Sequence, residues 1–137
     1  MNVFLDTNVV IDFMGERKDF FASASTIFSM IEDGTIHASV SALTIINCAY
    51  ILKKAFSQKV MLEKIGILCR LLDVTSINKS HLQKAINMKP RDYEDAVQYL
   101  SALTYHPDVI ITRDKNGFSN FNIPILTPDE FVSKAKA

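Results

Sequence analysis

The sequence predicts an α/β fold with three layers, in which helices cover both faces of a central, mostly parallel sheet. Short apolar runs typical of buried strands alternate along the chain with segments of helical periodicity. Each intervening segment is long enough for the crossover connection that parallel strands require. With 137 residues, 48% hydrophobic residues and only 4 Gly and 4 Pro, the chain fits one domain spanning residues 1–137.

Each element is predicted from its apolar pattern and from the residues at its ends. Predicted strands cover residues 3–5, 36–40, 73–77 and 109–112. Predicted helices cover residues 9–14, 20–33, 41–52, 57–71, 78–88 and 92–105, and a last helix begins at residue 127. Candidate N-caps are Ser41 or Thr44, Asn78 and Asp92, and Gly34 is a candidate C-terminal cap. The helix over 41–52 is apolar nearly all round, which predicts burial on more than one side.

Composition restricts the function without naming it. Fifteen basic and fifteen acidic residues cancel, so a site for a polyanion must be local or must borrow positive charge from metal ions. Cys48 and Cys69 lie in apolar helical patterns without zinc-ligand spacing and are predicted to be core residues. No basic-then-apolar leader begins the sequence and no apolar stretch reaches about twenty residues, which predicts a cytoplasmic protein without a membrane partner.

Acidic residues recur where the predicted strands and one helix meet. Asp6 follows the first strand, Asp114 comes just past the fourth strand, and Asp92 and Asp95 occupy the first turn of the helix between them. Carboxyl ends of parallel strands share one edge of a sheet, which is where ligands bind in such folds. Taken singly, each of these acids also suits a helix cap or a turn.

Carboxylates brought together without Lys or Arg partners repel one another unless cations neutralise them. Their oxygen atoms suit Mg²⁺ or Mn²⁺, ions that also engage phosphate oxygens. The sequence therefore predicts metal-assisted hydrolysis of a phosphodiester at this edge.

Four motifs, LDTNVVID, SALTIINCAYIL, DYEDAVQYLSA and VIITRD, resemble the signatures of the PIN domain family in order and spacing, over nearly the whole chain. The resemblance implies an α/β/α nuclease fold and, among small members, a toxin ribonuclease of a VapBC-type toxin-antitoxin pair. It implies Asp6, Asp95 and Asp114 as catalytic, metal-binding acids, with hydrogen-bonding support from Asn8 and Thr112. It also implies Mg²⁺ or Mn²⁺ as cofactor, RNA as substrate, an antitoxin partner, and a homodimer joined through helices with exposed apolar side chains.

One position departs from the family pattern. Asn47 stands where the family typically places a glutamate, in the first turns of the helix after the second strand. An amide oxygen adds no charge, so metal affinity is expected to fall. Asp12 and Asp92 are the acids that we consider as compensation for the missing charge.

Arg113 and Lys115 flank Asp114 and are candidate contacts to RNA backbone phosphates. Two alternatives stay open at this point. Asn47 makes a PIN-fold binding module without chemistry conceivable. A phosphatase of the haloacid dehalogenase type, with Asp6 as nucleophile, needs a second acid two residues on, where this chain has Asn8.

Overall fold

The computed structural model describes residues 1–118 and 121–136, and within them five parallel strands form one sheet. The strands are β1 (Asn2–Leu5), β2 (His37–Ser41), β3 (Asp73–Thr75), β4 (Val109–Ile111) and β5 (Ile125–Leu126). Their order across the sheet is β3-β2-β1-β4-β5, so the first strand is central. Phe4 of β1 lies opposite Ser39 on one side and Ile110 on the other.

Helices cover both faces of this sheet, as predicted. They are α1 (Thr7–Met14), α2 (Phe21–Glu32), α3 (Ala42–Leu52), α4 (Gln58–Leu71), α5 (Lys79–Asn87), α6 (Tyr93–Ala102) and α7 (Pro128–Lys136). One face, which carries Val3 and Leu5, packs against apolar residues of α1, α2, α3, α4 and α7. The other face, which carries Phe4, packs against α6 and against Phe118 in a 3₁₀ turn at Lys115–Phe118, while α5 packs on α6. The three-layer α/β/α prediction is therefore confirmed.

Helix capping residues act much as the sequence indicates. Ser41, and not Thr44, is the N-cap of α3, because the Ser41 side chain accepts a hydrogen bond from the backbone N–H of Thr44. Asn78 and Asp92 cap α5 and α6 in the same way, and each such cap is worth about 1 kcal/mol. Gly34 follows α2 with a φ of 82°, a conformation that glycine adopts without steric cost.

Two burial predictions are wrong. The third helix is not buried on several sides, since Ile46 and Tyr50 are 66% and 56% exposed. Cys69 is exposed, whereas Cys48 is buried and burial raises the pKa of its thiol to about 12. An apolar pattern identifies candidate faces of a helix, but the packing of neighbouring elements decides which of those faces is covered.

In the described part of the chain, no helix combines the length and the hydropathy needed to cross a membrane.

Candidate active site

Asp6 lies at the carboxyl end of the central strand and is also the N-cap of α1. Its Oδ1 accepts a hydrogen bond from the Thr7 backbone N–H at 2.7 Å. Its Oδ2 accepts from Thr112 Oγ1 at 2.8 Å and from Asn8 Nδ2 at 3.2 Å. Burial raises the pKa of Asp6, against the opposing effect of hydrogen bonds from Thr112, Thr7 and Gln98. The side chain is only 7% exposed, so its charge is costly without a cation.

Thr112 connects Asp6 to Asp114. It follows the fourth strand by one residue, is fully buried, and its Oγ1 accepts a hydrogen bond from the Asp114 backbone N–H at 3.1 Å. Asp114 in turn holds the next residues through its Oδ1, which accepts from the Asn116 N–H at 3.2 Å. Asn8 and Thr112, the two residues expected to support the site, thus both contact the Asp6 carboxylate.

Asp95 reaches the same pocket from the first turn of α6. The Asp92 side chain caps this helix by accepting a hydrogen bond from the Asp95 N–H at 3.0 Å, so Asp92 has an evident structural role. Burial, together with the negative charges of Asp6, Asp92, Glu94 and Asp114, raises the pKa of Asp95 to about 7. The Asp95 carboxylate lies against Gly117, three residues after Asp114, and the charges of Asp6 and Asp114 both act on it. We refer to the region around Asp6, Asp95 and Asp114 as the acidic pocket.

The three pocket acids take part in none of the ion pairs found in the described residues. In residues 1–118 and 121–136, ion pairs connect Asp12 to Arg17 and Arg113, and Glu130 to Lys115, and none reaches the three pocket acids. Among the residues that the structure describes, Asp6, Asp95 and Asp114 therefore have no ion-pair partner.

Asp12, considered above as a compensating acid, is already neutralised by Arg113. Its carboxylate is fully buried and lies 2.7 Å from Nε and 3.2 Å from Nη2 of that guanidinium. The guanidinium also stacks 3.9 Å from the ring centroid of Phe20. Lys115 lies 3.1 Å from Glu130. Contact of Arg113 and Lys115 with RNA stays a prediction. Such contact would use N–H groups of these side chains that do not already bind Asp12 or Glu130.

Asn47 lies beside the acidic turn of α6. Its Nδ2 donates a hydrogen bond to Glu94 Oε1 at 3.1 Å, and Glu94 directly precedes Asp95. Sequence reasoning did not select Glu94, although its position in the same first turn was a usable signal. The residue that replaces the family glutamate thus binds another acid of this chain.

The buried side-chain amide of Gln98 connects the elements that carry the site residues. Gln98 is 1% exposed, and its Oε1 accepts hydrogen bonds from Ser41 Oγ at 3.1 Å and Thr44 Oγ1 at 3.0 Å. Thr44 is also 2.8 Å from Thr7 Oγ1. This network joins the starts of α1 and α3 to α6. Sequence reasoning missed Gln98, although it lies three residues after Asp95 and so shares its helix face.

The chemistry of the pocket acids, and not a complete set of converging ligands, is what suits a hydrated divalent ion. Carboxylate oxygens are the ligands that Mg²⁺ and Mn²⁺ prefer. Over the described ranges, no three His, Cys, Asp or Glu side chains converge closely enough to enclose an ion on their own. Mg²⁺ characteristically keeps several waters and takes one or two direct carboxylates. The donor set therefore suits Mg²⁺ or Mn²⁺ with part of its water shell, and not a closed structural zinc cage.

Fold and site together define a three-layer α/β/α protein with an acidic pocket at the carboxyl edge of its parallel sheet. The family model described as "PIN domain" matches residues 2–116. The chain belongs to the PIN domain family.

Relatives cover nearly the whole chain. Ribonuclease VapC1 of Aquifex aeolicus is 26% identical over 137 residues, which span 96% of this chain and 94% of that protein. The sarcin-ricin loop cleaving toxin VapC20 of Mycobacterium tuberculosis has a TM-score of 0.69 at 10% identity, covering 88% of this chain and 96% of that one. DNA-bound VapBC of Salmonella typhimurium has a TM-score of 0.69 at 16% identity, covering 93% and 98%. The two solved structures share the fold.

Proposed function

We propose that this chain is a metal-dependent ribonuclease and the toxin of a type II toxin-antitoxin pair, formed by a single domain. Asp6, Asp95 and Asp114 would hold Mg²⁺ or Mn²⁺. The observation that supports the proposal is the environment of Asp95, where burial and the negative charges of Asp6, Asp92, Glu94 and Asp114 raise its pKa to about 7. When bound, the ion would supply an activated water and stabilise negative charge on the reacting phosphate.

The chain's own residues orient the acids before substrate arrives. Thr112 and Asn8 hold the Asp6 carboxylate through hydrogen bonds of 2.8 and 3.2 Å, and the Gln98 network fixes the helix that carries Asp95. Such preorganisation matters because charge stabilisation is strongest when the donors do not have to reorganise during reaction.

RNA would lie beside the acidic pocket, in an adjoining cleft of about 230 Å³ lined in part by Lys89, Arg91 and Gly117. Within the described residues, neither Lys89 nor Arg91 takes part in an ion pair. We place backbone phosphates next to these two side chains, in addition to the proposed contacts at Arg113 and Lys115.

The partners belong to the same proposal. Solved structures with this fold include toxin-antitoxin complexes, among them one from Klebsiella pneumoniae with a TM-score of 0.68, which supports an antitoxin partner. The exposed Ile46 and Tyr50 of α3 support a homodimer. We propose the cytoplasm, where cellular RNA is accessible, as the location. An upstream reading frame for a small DNA-binding protein would add independent support.

The proposal is tested by calorimetric titration with Mn²⁺ and by cleavage of single-stranded and structured RNA. The Asp114→Asn variant is expected to bind Mn²⁺ at least about tenfold more weakly, since even outer-shell changes cost that much, and to lose RNA cleavage. Asp19→Asn is the matched control, because it removes an exposed acid from a loop outside the pocket. Failure of the unaltered protein to bind Mn²⁺ would reject the metal-dependent mechanism.

A PIN-fold binding module without chemistry is the second candidate, and Asn47 is the observation in its favour. Such a module would bind RNA and leave it intact at every Mn²⁺ concentration. The phosphatase alternative is set aside because the chain belongs to the PIN domain family.

Asn47→Glu tests the departure from the family pattern. The new carboxylate would stand near Glu94, which now accepts a hydrogen bond from Asn47 at 3.1 Å. We expect Mn²⁺ affinity to rise by about tenfold and the metal-free protein to melt at a lower temperature, because like charges are then adjacent. Asn47→Gln is the control that keeps the amide. Unchanged affinity in the glutamate variant would place position 47 outside the site.

A further inference from the structure

We propose that Gly117 is a positioning residue, because the space left by its missing side chain holds the Asp95 carboxylate in the acidic pocket. A Cβ atom at position 117 would lie 1.9 Å from Asp95 Oδ2 and 3.0 Å from its Cγ. Real Cβ atoms essentially never approach closer than 3.0 Å. Any side chain here would therefore displace the carboxylate by about 1 Å or more.

Backbone conformation does not explain this glycine. Gly34 has a φ of 82° and needs the freedom of glycine, whereas Gly117 has no positive φ. Alanine could adopt the backbone of Gly117 without strain. What an alanine could not do is share space with the Asp95 side chain. The requirement for glycine at this position comes from a side chain on another element.

The loop that carries Gly117 has little room to retreat from α6. On one side, the Asn116 N–H donates to Asp114 Oδ1 at 3.2 Å. On the other side, Phe118 is fully buried and packs with Phe4 and Ile110. Moving the loop would disturb the Asp114 turn or this core cluster, so an added methyl group would shift the Asp95 side chain instead.

Asp95 depends on this packing more than Asp6 does. The Asp6 carboxylate is oriented by hydrogen bonds from Thr7, Asn8 and Thr112. For Asp95, no group within residues 1–118 and 121–136 is found to donate a hydrogen bond to the carboxylate, and only its backbone N–H is held, by Asp92. Contact with Gly117 is thus the restraint that selects the orientation of this side chain.

The inference rests on the proposed function for its effect on metal binding. In the full-length protein, Gly117→Ala is expected to lower Mn²⁺ affinity in calorimetry by at least about tenfold. A crystal structure of the variant should show the Asp95 carboxylate moved out of its present position. Gly66→Ala is the matched control, because nothing lies within 4 Å of a Cβ at that position, and it should leave Mn²⁺ affinity unchanged.

A double-mutant cycle separates this role from a general effect on folding. In an Asp95→Ala background there is no carboxylate for the new methyl group to meet, so Gly117→Ala should not destabilise the protein there. An Asp95 carboxylate that keeps its position in the Gly117→Ala crystal, or Mn²⁺ affinity equal to that of the unaltered protein, would overturn the inference. If the unaltered protein binds no Mn²⁺, the proposed function fails, and the crystal structure still decides whether Gly117 positions Asp95.

Discussion

Replacing Asp95 by Asn is expected to stabilise the metal-free protein and to abolish its binding of Mn²⁺. Burial and the charges of Asp6, Asp92, Glu94 and Asp114 raise the pKa of Asp95 to about 7, so the ionised side chain disfavours the folded state. An asparagine keeps the size of the side chain and removes the charge. We expect a gain of roughly 1–2 kcal/mol near neutral pH, less than the whole shift implies because solvent screens the partly exposed carboxylate.

The pH dependence of stability follows from the direction of this shift. The pKa of Asp95 is 3.8 when unperturbed and about 7 in the folded protein. Between these values the folded state holds a proton that the unfolded state has lost, so stability falls as pH rises through this range and stays low above it. In Asp95→Asn this fall should be absent.

Urea unfolding at about pH 5 and about pH 8 measures the effect. Asp33→Asn is the control, because hydrogen bonds from Thr35 lower the pKa of Asp33. Asp33 is therefore ionised at both pH values, and its replacement should leave the difference between them unchanged. Mn²⁺ at about 100 times its Kd should stabilise the unaltered protein by about 2.7 kcal/mol and leave Asp95→Asn unaffected. Identical pH dependence in the two proteins would show that ionisation of Asp95 does not destabilise the folded protein.

Asp12→Ala is expected to destabilise the protein by about 3 kcal/mol, which lowers the melting temperature by roughly 10 °C. The Asp12 carboxylate is fully buried and makes two contacts with Arg113, at 2.7 and 3.2 Å. Removing the acid leaves a guanidinium that is only 28% exposed without its partner. Thermal melting of the metal-free protein measures the loss.

Two variants separate the ion pair from packing at this position. Arg17→Ala should change stability by no more than about 0.5 kcal/mol, because the exposed Arg17 lies 3.9 Å from Asp12. The double variant Asp12→Leu with Arg113→Met removes both charges and should recover most of the loss. A single Asp12→Ala variant as stable as the unaltered protein would mean that the pair contributes nothing to the fold. It would also leave Arg113 available to RNA.

The alternation of strands and helices could be predicted from the sequence because the relevant signals are local. Apolar runs identify β1 and β4, and Ser41 and Asp92 identify helix starts through their own hydrogen bonds to the backbone. The expectation that Asp6, Asp92, Asp95 and Asp114 lie near one edge of the sheet rested on the same reasoning, since parallel strands end together. The resemblance to the PIN domain family then selected Asp6, Asp95 and Asp114 among them. The exposure of Cys69 could not be predicted, because apolar spacing is equally compatible with a buried helix face and with a face that no neighbour covers.

By itself, the sequence determined the layer order and most of the helix caps, since each depends on periodicity and on short-range capping. The resemblance to the PIN domain family singled out Asp6, Asp95 and Asp114 as the candidate site acids. Only the tertiary structure decided which side chains contact one another around the site. It assigned Asp12 to Arg113, Asn47 to Glu94, and Gly117 to the space beside Asp95. These partners lie tens of residues apart and meet only when helices and loops pack, so no local pattern in the chain encodes the contact.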